Sequence, residues 1–87
     1  MWQFSRHILQ RIEERGYNRG QILQVVNLEV NVLIVQSPHD EEVDLYFGLV
    51  DSKWILVVAN RITKSLITVR PMRKKEKQLY SKEFGNV

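Results

Sequence analysis

The stretch Phe4–Gly16, FSRHILQRIEERG, decides how the rest of the chain must be arranged. Read at ~3.6 residues per turn, it puts Ile8 and Ile12, with Leu9 beside them, on one apolar stripe that has to face a core. His7, Arg11 and Arg15 follow one another at four-residue steps, so they form a second line beside the first. Ser5 stands where an N-cap belongs, and Gly16 where a glycine closes a helix. A titratable imidazole and two permanent cations thus border the buried face, where a cleft against a sheet could form.

Outward from this helix the pattern continues with a second one. Asn18 is a good N-cap, Gln21 sits three residues on as in a capping box, and Ile22, Leu23, Val25 and Val26 supply an apolar face. This helix is expected to end near Leu28. The period then changes to two. Val30, Val32 and Ile34 alternate with their neighbours until Ser37-Pro38-His39-Asp40 breaks the run, and Val43, Leu45, Phe47 and Leu49 alternate again. Asp51-Ser52 is short enough for a tight hairpin turn. Trp54 to Ala59 is apolar on both faces, as suits a central strand. Arg61–Lys64 makes the next turn, and Leu66 to Arg70 is a fourth strand ended by Pro71. The expected class is α+β: two N-terminal helices packed on one face of a four-stranded antiparallel meander, forming a single domain over residues 1–72. Residues 73–87 read as a basic tail in which Leu79, Tyr80 and Phe84 could anchor a short helix.

Composition narrows the function classes. Eighty-seven residues make one domain. With no cysteine there is neither a disulfide nor a thiolate metal site, and the two histidines, His7 and His39, are unrelated in position. The chain has no Gly-rich phosphate loop, no GxSxG elbow and no HExxH, so no cofactor and no metal is implied. The N-terminus lacks the apolar core of a signal peptide, and no run approaches the ~18–20 apolar residues of a membrane span. The expected location is the cytoplasm. A net charge of +3 is weak evidence by itself, but its distribution is uneven. Asp40, Glu41, Glu42 and Asp44 cluster, while cations gather in the first helix and in Arg70–Lys77, so one face should attract phosphate.

Strict alternation on the last strand puts Leu66, Thr68 and Arg70 on one side and Ile67 and Val69 on the other. If that strand lies beside the first turn of the first helix, His7, Arg11, Thr68 and Arg70 converge, with Arg15 at the far end. Metal-free RNA cleavage needs a base for the 2′-hydroxyl, an acid for the leaving 5′-oxygen and cations for the developing charge. Those four residue types suffice for it. Arg15, Arg61, Arg73, Lys74 and Lys75 are the expected RNA phosphate contacts. Blander readings fit the same residues. Glu13 and Glu14 could lace Arg11 and Arg15 into a solvated helix face, Thr68 is an ordinary strand residue, and Arg73–Lys77 a solubilising run. Trp54 reads as core, and Trp2 as a cover for one end of that core.

The line His7-x3-Arg11-x3-Arg15-Gly16, a short second helix, and a final hairpin running from Ile55-Leu56-Val57-Val58 to Leu66-Ile67-Thr68-Val69-Arg70 resemble a bacterial pattern. It is that of small domain-of-unknown-function proteins grouped with the BrnT-like and RelE-like toxins of the barnase–EndoU–colicin–RelE ribonucleases. The resemblance covers residues 4–72. It implies a RelE/colicin-like fold, a toxin-type metal-independent endoribonuclease with His7, Arg11, Thr68 and Arg70 as catalytic positions, and an acidic antitoxin or immunity protein as partner. The pattern has an aromatic residue where this chain has Arg70, and it does not include the basic tail. A non-catalytic module of the same fold, binding nucleic acid or protein with the same cations, is the alternative; a plain interaction domain using the acidic loop or the tail is a third.

Overall fold

A computed structural model describes residues 1–85. The elements in order are β1 (Gln3–Phe4), α1 (Arg6–Arg15), α2 (Arg19–Val26), β2 (Val32–Gln36), β3 (Val43–Val50), β4 (Lys53–Asn60), β5 (Ser65–Pro71) and α3 (Lys74–Phe84). The class is α+β. The strands form one five-stranded sheet in the order β1-β5-β4-β3-β2. β2 to β5 make the antiparallel meander that the period-two segments demand, and β1 adds a short parallel pairing, Gln3 opposite Ser65 and Phe4 opposite Leu66.

The helix ends are where their capping residues put them. The Ser5 side chain accepts from the Ile8 N–H at 3.1 Å, and Gly16 closes α1 at φ 73°, a left-handed value that glycine takes without a Cβ clash. Asn18 and Gln21 cap α2 reciprocally. The Gln21 amide also donates to Asp51 at 3.0 Å, tying α2 to the β3–β4 turn and satisfying a side chain that is nearly buried. In that turn Asp51 and Ser52 both have positive φ, 50° and 64°, which is the twist-matched two-residue hairpin.

α1 and α2 cover one face of the sheet. Ile8, Ile12, Ile22, Val25 and Val26 pack there on Tyr46, Val50, Ile55, Val57, Ala59, Leu66 and Val69. The two N-terminal helices thus share one face as expected, and α3, from the segment read as a basic tail, covers the other. Phe47, Leu56 and Met72 on that face would otherwise be open, and α3 lays Tyr80 on them, 2% exposed, with Phe84 beside it. The Tyr80 hydroxyl donates to the Asn31 carbonyl at 2.7 Å, and burial pushes its pKa above the ordinary 10.0. The basic tail expected beyond residue 72 therefore contributes a packed element; its last two residues, 86 and 87, lie outside the described residues.

A correction concerns β5. Val58 pairs with Thr68 but Ala59 pairs with Leu66, so Ile67 is an extra residue, a bulge. The bulge reverses the alternation between Leu66 and Thr68. Leu66 and Val69 both point to the α1–α2 face, whereas Thr68 and Arg70 sit with Val58 and Leu56 on the α3 face.

Candidate functional site

The line His7–Arg11–Arg15 follows the edge of β5 that β1 leaves unpaired. At its two ends α1 anchors to that edge: the Ser5 hydroxyl donates to the Ile67 carbonyl at 3.2 Å, and Arg15 Nη1 to the Val69 carbonyl at 3.3 Å. Between them His7 is exposed, and Arg11 is held by Glu14 three residues on, as the ion-paired reading of that face expects. Thr68 and Arg70 lie across the sheet from α1 because of the bulge. The four expected catalytic residues are therefore split between the two faces of β5 and do not surround one point.

The residues that do come together are at the other end of the line. A groove of about 630 Å³ opens where the end of α1, the start of β4, the end of β5 and the start of α3 meet. That volume falls within the ~300–1,000 Å³ of small-molecule sites. Arg15, Lys53, Arg70, Arg73 and Lys77 bring charge to it, and Tyr17, Trp54, Pro71 and Met72 bring apolar surface.

Several of these side chains are held by their neighbours. The Lys53 ammonium donates to the Gly16 carbonyl at 2.6 Å, where it answers the negative end of α1, and lies 5.5 Å over the Tyr17 ring. Burial pushes the Tyr17 hydroxyl up from its ordinary pKa of 10.0, against the pull of nearby Arg15, so it is neutral at physiological pH. Trp54 meets the edge of Tyr80 at 5.9 Å and 83°, which sets the plane of the indole, and Lys77 sits 5.7 Å over that ring. Arg70 is paired with Glu76, which also accepts from the Arg73 N–H at 2.7 Å and so caps α3. That pairing holds the Glu76 carboxyl below its ordinary range. Arg15, Arg73 and Lys77 make no ion pair among the described residues.

The electrostatics favour an anion here. Arg73, Lys74 and Lys75 crowd the positive end of the α3 dipole, and Glu76 alone offsets them in the first turn. The acidic loop is at the opposite end of β4, since Val43 and Asp44 pair with Asn60 and Ala59 whereas Leu49 pairs with Trp54. At ~3.3 Å per residue the two ends are separated by about 20 Å, roughly two and a half Debye lengths at physiological salt.

Of the expected RNA contacts, Arg15 and Arg73 line the groove, and Lys74 and Lys75 are exposed on the first turn of α3 beside it. Arg61 is at the acidic end, 3.4 Å from Asp44, where it offsets that cluster. Sequence reading missed Tyr17, Lys53 and Trp54 as site residues and left Lys77 in a solvated run. The available signal was an aromatic beside a cation, Arg15-Gly16-Tyr17 and Lys53-Trp54.

No helix is long and apolar enough to cross a membrane among the described residues. Set against family models, curated proteins and solved structures, the chain finds no match to any of them.

Proposed function

We propose that the chain is a nucleic-acid-binding module that holds a single strand of RNA in the groove at the Lys53–Trp54 end of the sheet. The observation that carries the reading is the pairing of cations with an oriented aromatic face: Lys77 lies over the ring of Trp54, and Arg15 and Arg73 line the same groove. Single-stranded nucleic acid is held by that combination, a positive groove for the backbone and π-faces for the bases. Cleavage asks more, since base, acid and cations must converge on one phosphate. The binding module asks nothing of His7 or Thr68.

The test is fluorescence anisotropy with a labelled 12-nucleotide single-stranded RNA at several salt concentrations. With Arg15, Arg73 and Lys77 on the backbone, the log–log salt slope should be about −2, at roughly 0.7 per phosphate. The variant Arg15→Ala/Arg73→Ala/Lys77→Ala should bind weakly with a slope near zero. Binding unchanged in that variant, or absent in the wild type, sinks the reading.

A toxin-type endoribonuclease of RelE/colicin-like fold is the second reading. It is supported by the helix pair over an antiparallel meander and by the line from His7 to Arg15 along the unpaired edge of β5. Incubating the chain with RNA in excess chelator separates the two: fragments that disappear in His7→Ala/Arg11→Ala would favour cleavage, and intact RNA the binding module.

A further inference from the structure

Resting on that reading, we infer that the groove is a subsite for one nucleotide, whose base stacks on the face of Trp54 that Lys77 now covers and whose phosphate lies toward Arg15 and Arg73. Three features of the site lead there. The indole is preoriented, because Tyr80 is buried and meets it edge-on at 5.9 Å. Its plane therefore does not have to be ordered when a ligand arrives, and a rigid aromatic contact loses little entropy on binding.

Lys77 is the second feature. Its ammonium is 5.7 Å over the ring, its side chain is exposed, and it makes no ion pair among the described residues. An exposed cation over a ring is a weak contact on a flexible stem, and a stacked base is the stronger partner for the same face. When a nucleotide enters, Lys77 yields the ring and keeps its charge within reach of the incoming phosphate. A bare polyanion gives no such exchange.

The third feature is the division of the cations. Arg70 is committed to Glu76 through two hydrogen bonds, and Lys53 to the end of α1 through one. Arg15 spends only one of its five N–H donors, on the Val69 carbonyl, and the others, with Arg73 at the start of α3, remain to take a phosphate. Cations flanking a platform of one ring suit a single nucleotide step rather than a run of stacked bases.

The experiment uses an octaadenylate RNA and an abasic octamer with the same sugar-phosphate backbone, each titrated into the full chain. Trp2→Phe leaves Trp54 as the sole tryptophan. We expect octaadenylate to quench Trp54 emission, and the abasic strand to bind about 10-fold more weakly without quenching. Lys77→Met, which keeps the stem and removes the charge, should weaken binding of octaadenylate yet still quench Trp54 once saturated, and a saturated complex without quenching would overturn the stack. In case Trp2→Phe perturbs the fold, the two indole N–H resonances of the wild type report the same event: the Trp54 signal should move, and that of Trp2, donated to Asn27, should stay. Salt-sensitive binding of both strands with equal affinity and no change at Trp54 would overturn the subsite while leaving the RNA-binding reading intact. Binding of neither strand would overturn both.

Discussion

Arg70 on β5 and Glu76 on α3 meet in a two-pronged ion pair, Nη1 to Oε1 at 2.8 Å and Nη2 to Oε2 at 2.7 Å. Both side chains are mostly shielded, 27% and 21% exposed. The fork joins the last strand to the last helix, and the same carboxylate caps α3 at Arg73. Glu76→Gln keeps the shape but removes the charge, and should lower stability at neutral pH by about 1–2 kcal/mol in urea unfolding. The pH dependence has a defined sign. The Glu76 carboxyl is held below its unfolded value of 4.5, chiefly by the hydrogen bonds from Arg70, so its contribution is complete above that pH. It is lost as pH falls through the folded value. The gap between wild type and Glu76→Gln should therefore shrink below pH 4.5. A gap that widens in acid would show that the pair does not stabilise the α3–β5 contact.

His7 tests which end of α1 matters. It is exposed in the first turn, while the groove opens at the last turn. His7→Ala should change stability by no more than about 0.5 kcal/mol, and RNA affinity by less than a factor of two. Arg73→Ala should weaken binding and lessen the salt slope by about 0.7. If His7→Ala weakens RNA binding as strongly as Arg73→Ala, the site belongs at the other end of the helix.

Much of this architecture is written in local signals. Ser5, the Asn18–Gln21 box and the Asp51-Ser52 turn each satisfy backbone groups within a few residues, so their consequences can be read without the rest of the chain. The features that escaped are those whose cause lies far away in sequence. β1 is two residues long and exists because Lys64 and Leu66 carbonyls accept from Gln3 and Ser5. The bulge at Ile67 is a property of the β4–β5 pairing, and it moves Thr68 and Arg70 away from α1. α3 is mostly charged; what makes it a packed helix is Tyr80 and Phe84 finding Met72 and Trp54. The groove suffers most from this, since Tyr17, Trp54 and Lys77 belong to three distant segments. Trp54 had the parity of a core residue, but it opens β4 next to charged Lys53, at the rim where a strand leaves the core.

Gly48 shows how closely α2 approaches the sheet. A Cβ built there would lie 3.0 Å from Val25 Cγ2 and 3.3 Å from Cγ1, and Val25 is fully buried. A valine in a helix is nearly fixed at χ1, so it cannot swing aside. Gly48→Ala should cost about 1–3 kcal/mol by overpacking. Val25→Ala alone should also destabilise, yet the double variant should be more stable than the sum of the two losses, because the new methyl fills the space given up. Strict additivity in thermal unfolding would mean that the two positions do not share that space.

Leu28 carries strain that can be removed. It follows Asn27 at the end of α2 with φ 58°, and the closing hydrogen bonds run from Leu28 N–H to Val25 and from Glu29 N–H to Gln24. This is the helix-terminating pattern that normally places glycine or asparagine at the left-handed position. A leucine there costs about 1–2 kcal/mol of backbone energy, and with 56% of its surface exposed it recovers little of that by burial. Leu28→Asn should therefore raise stability by about 0.5–1 kcal/mol, and Leu28→Gly by somewhat less because glycine also loosens the unfolded chain. Both substitutions are remote from the groove, so RNA affinity should be unchanged while the melting temperature rises. A fall in melting temperature for both variants would mean that the Leu28 side chain contributes more through its contacts than its backbone loses through strain.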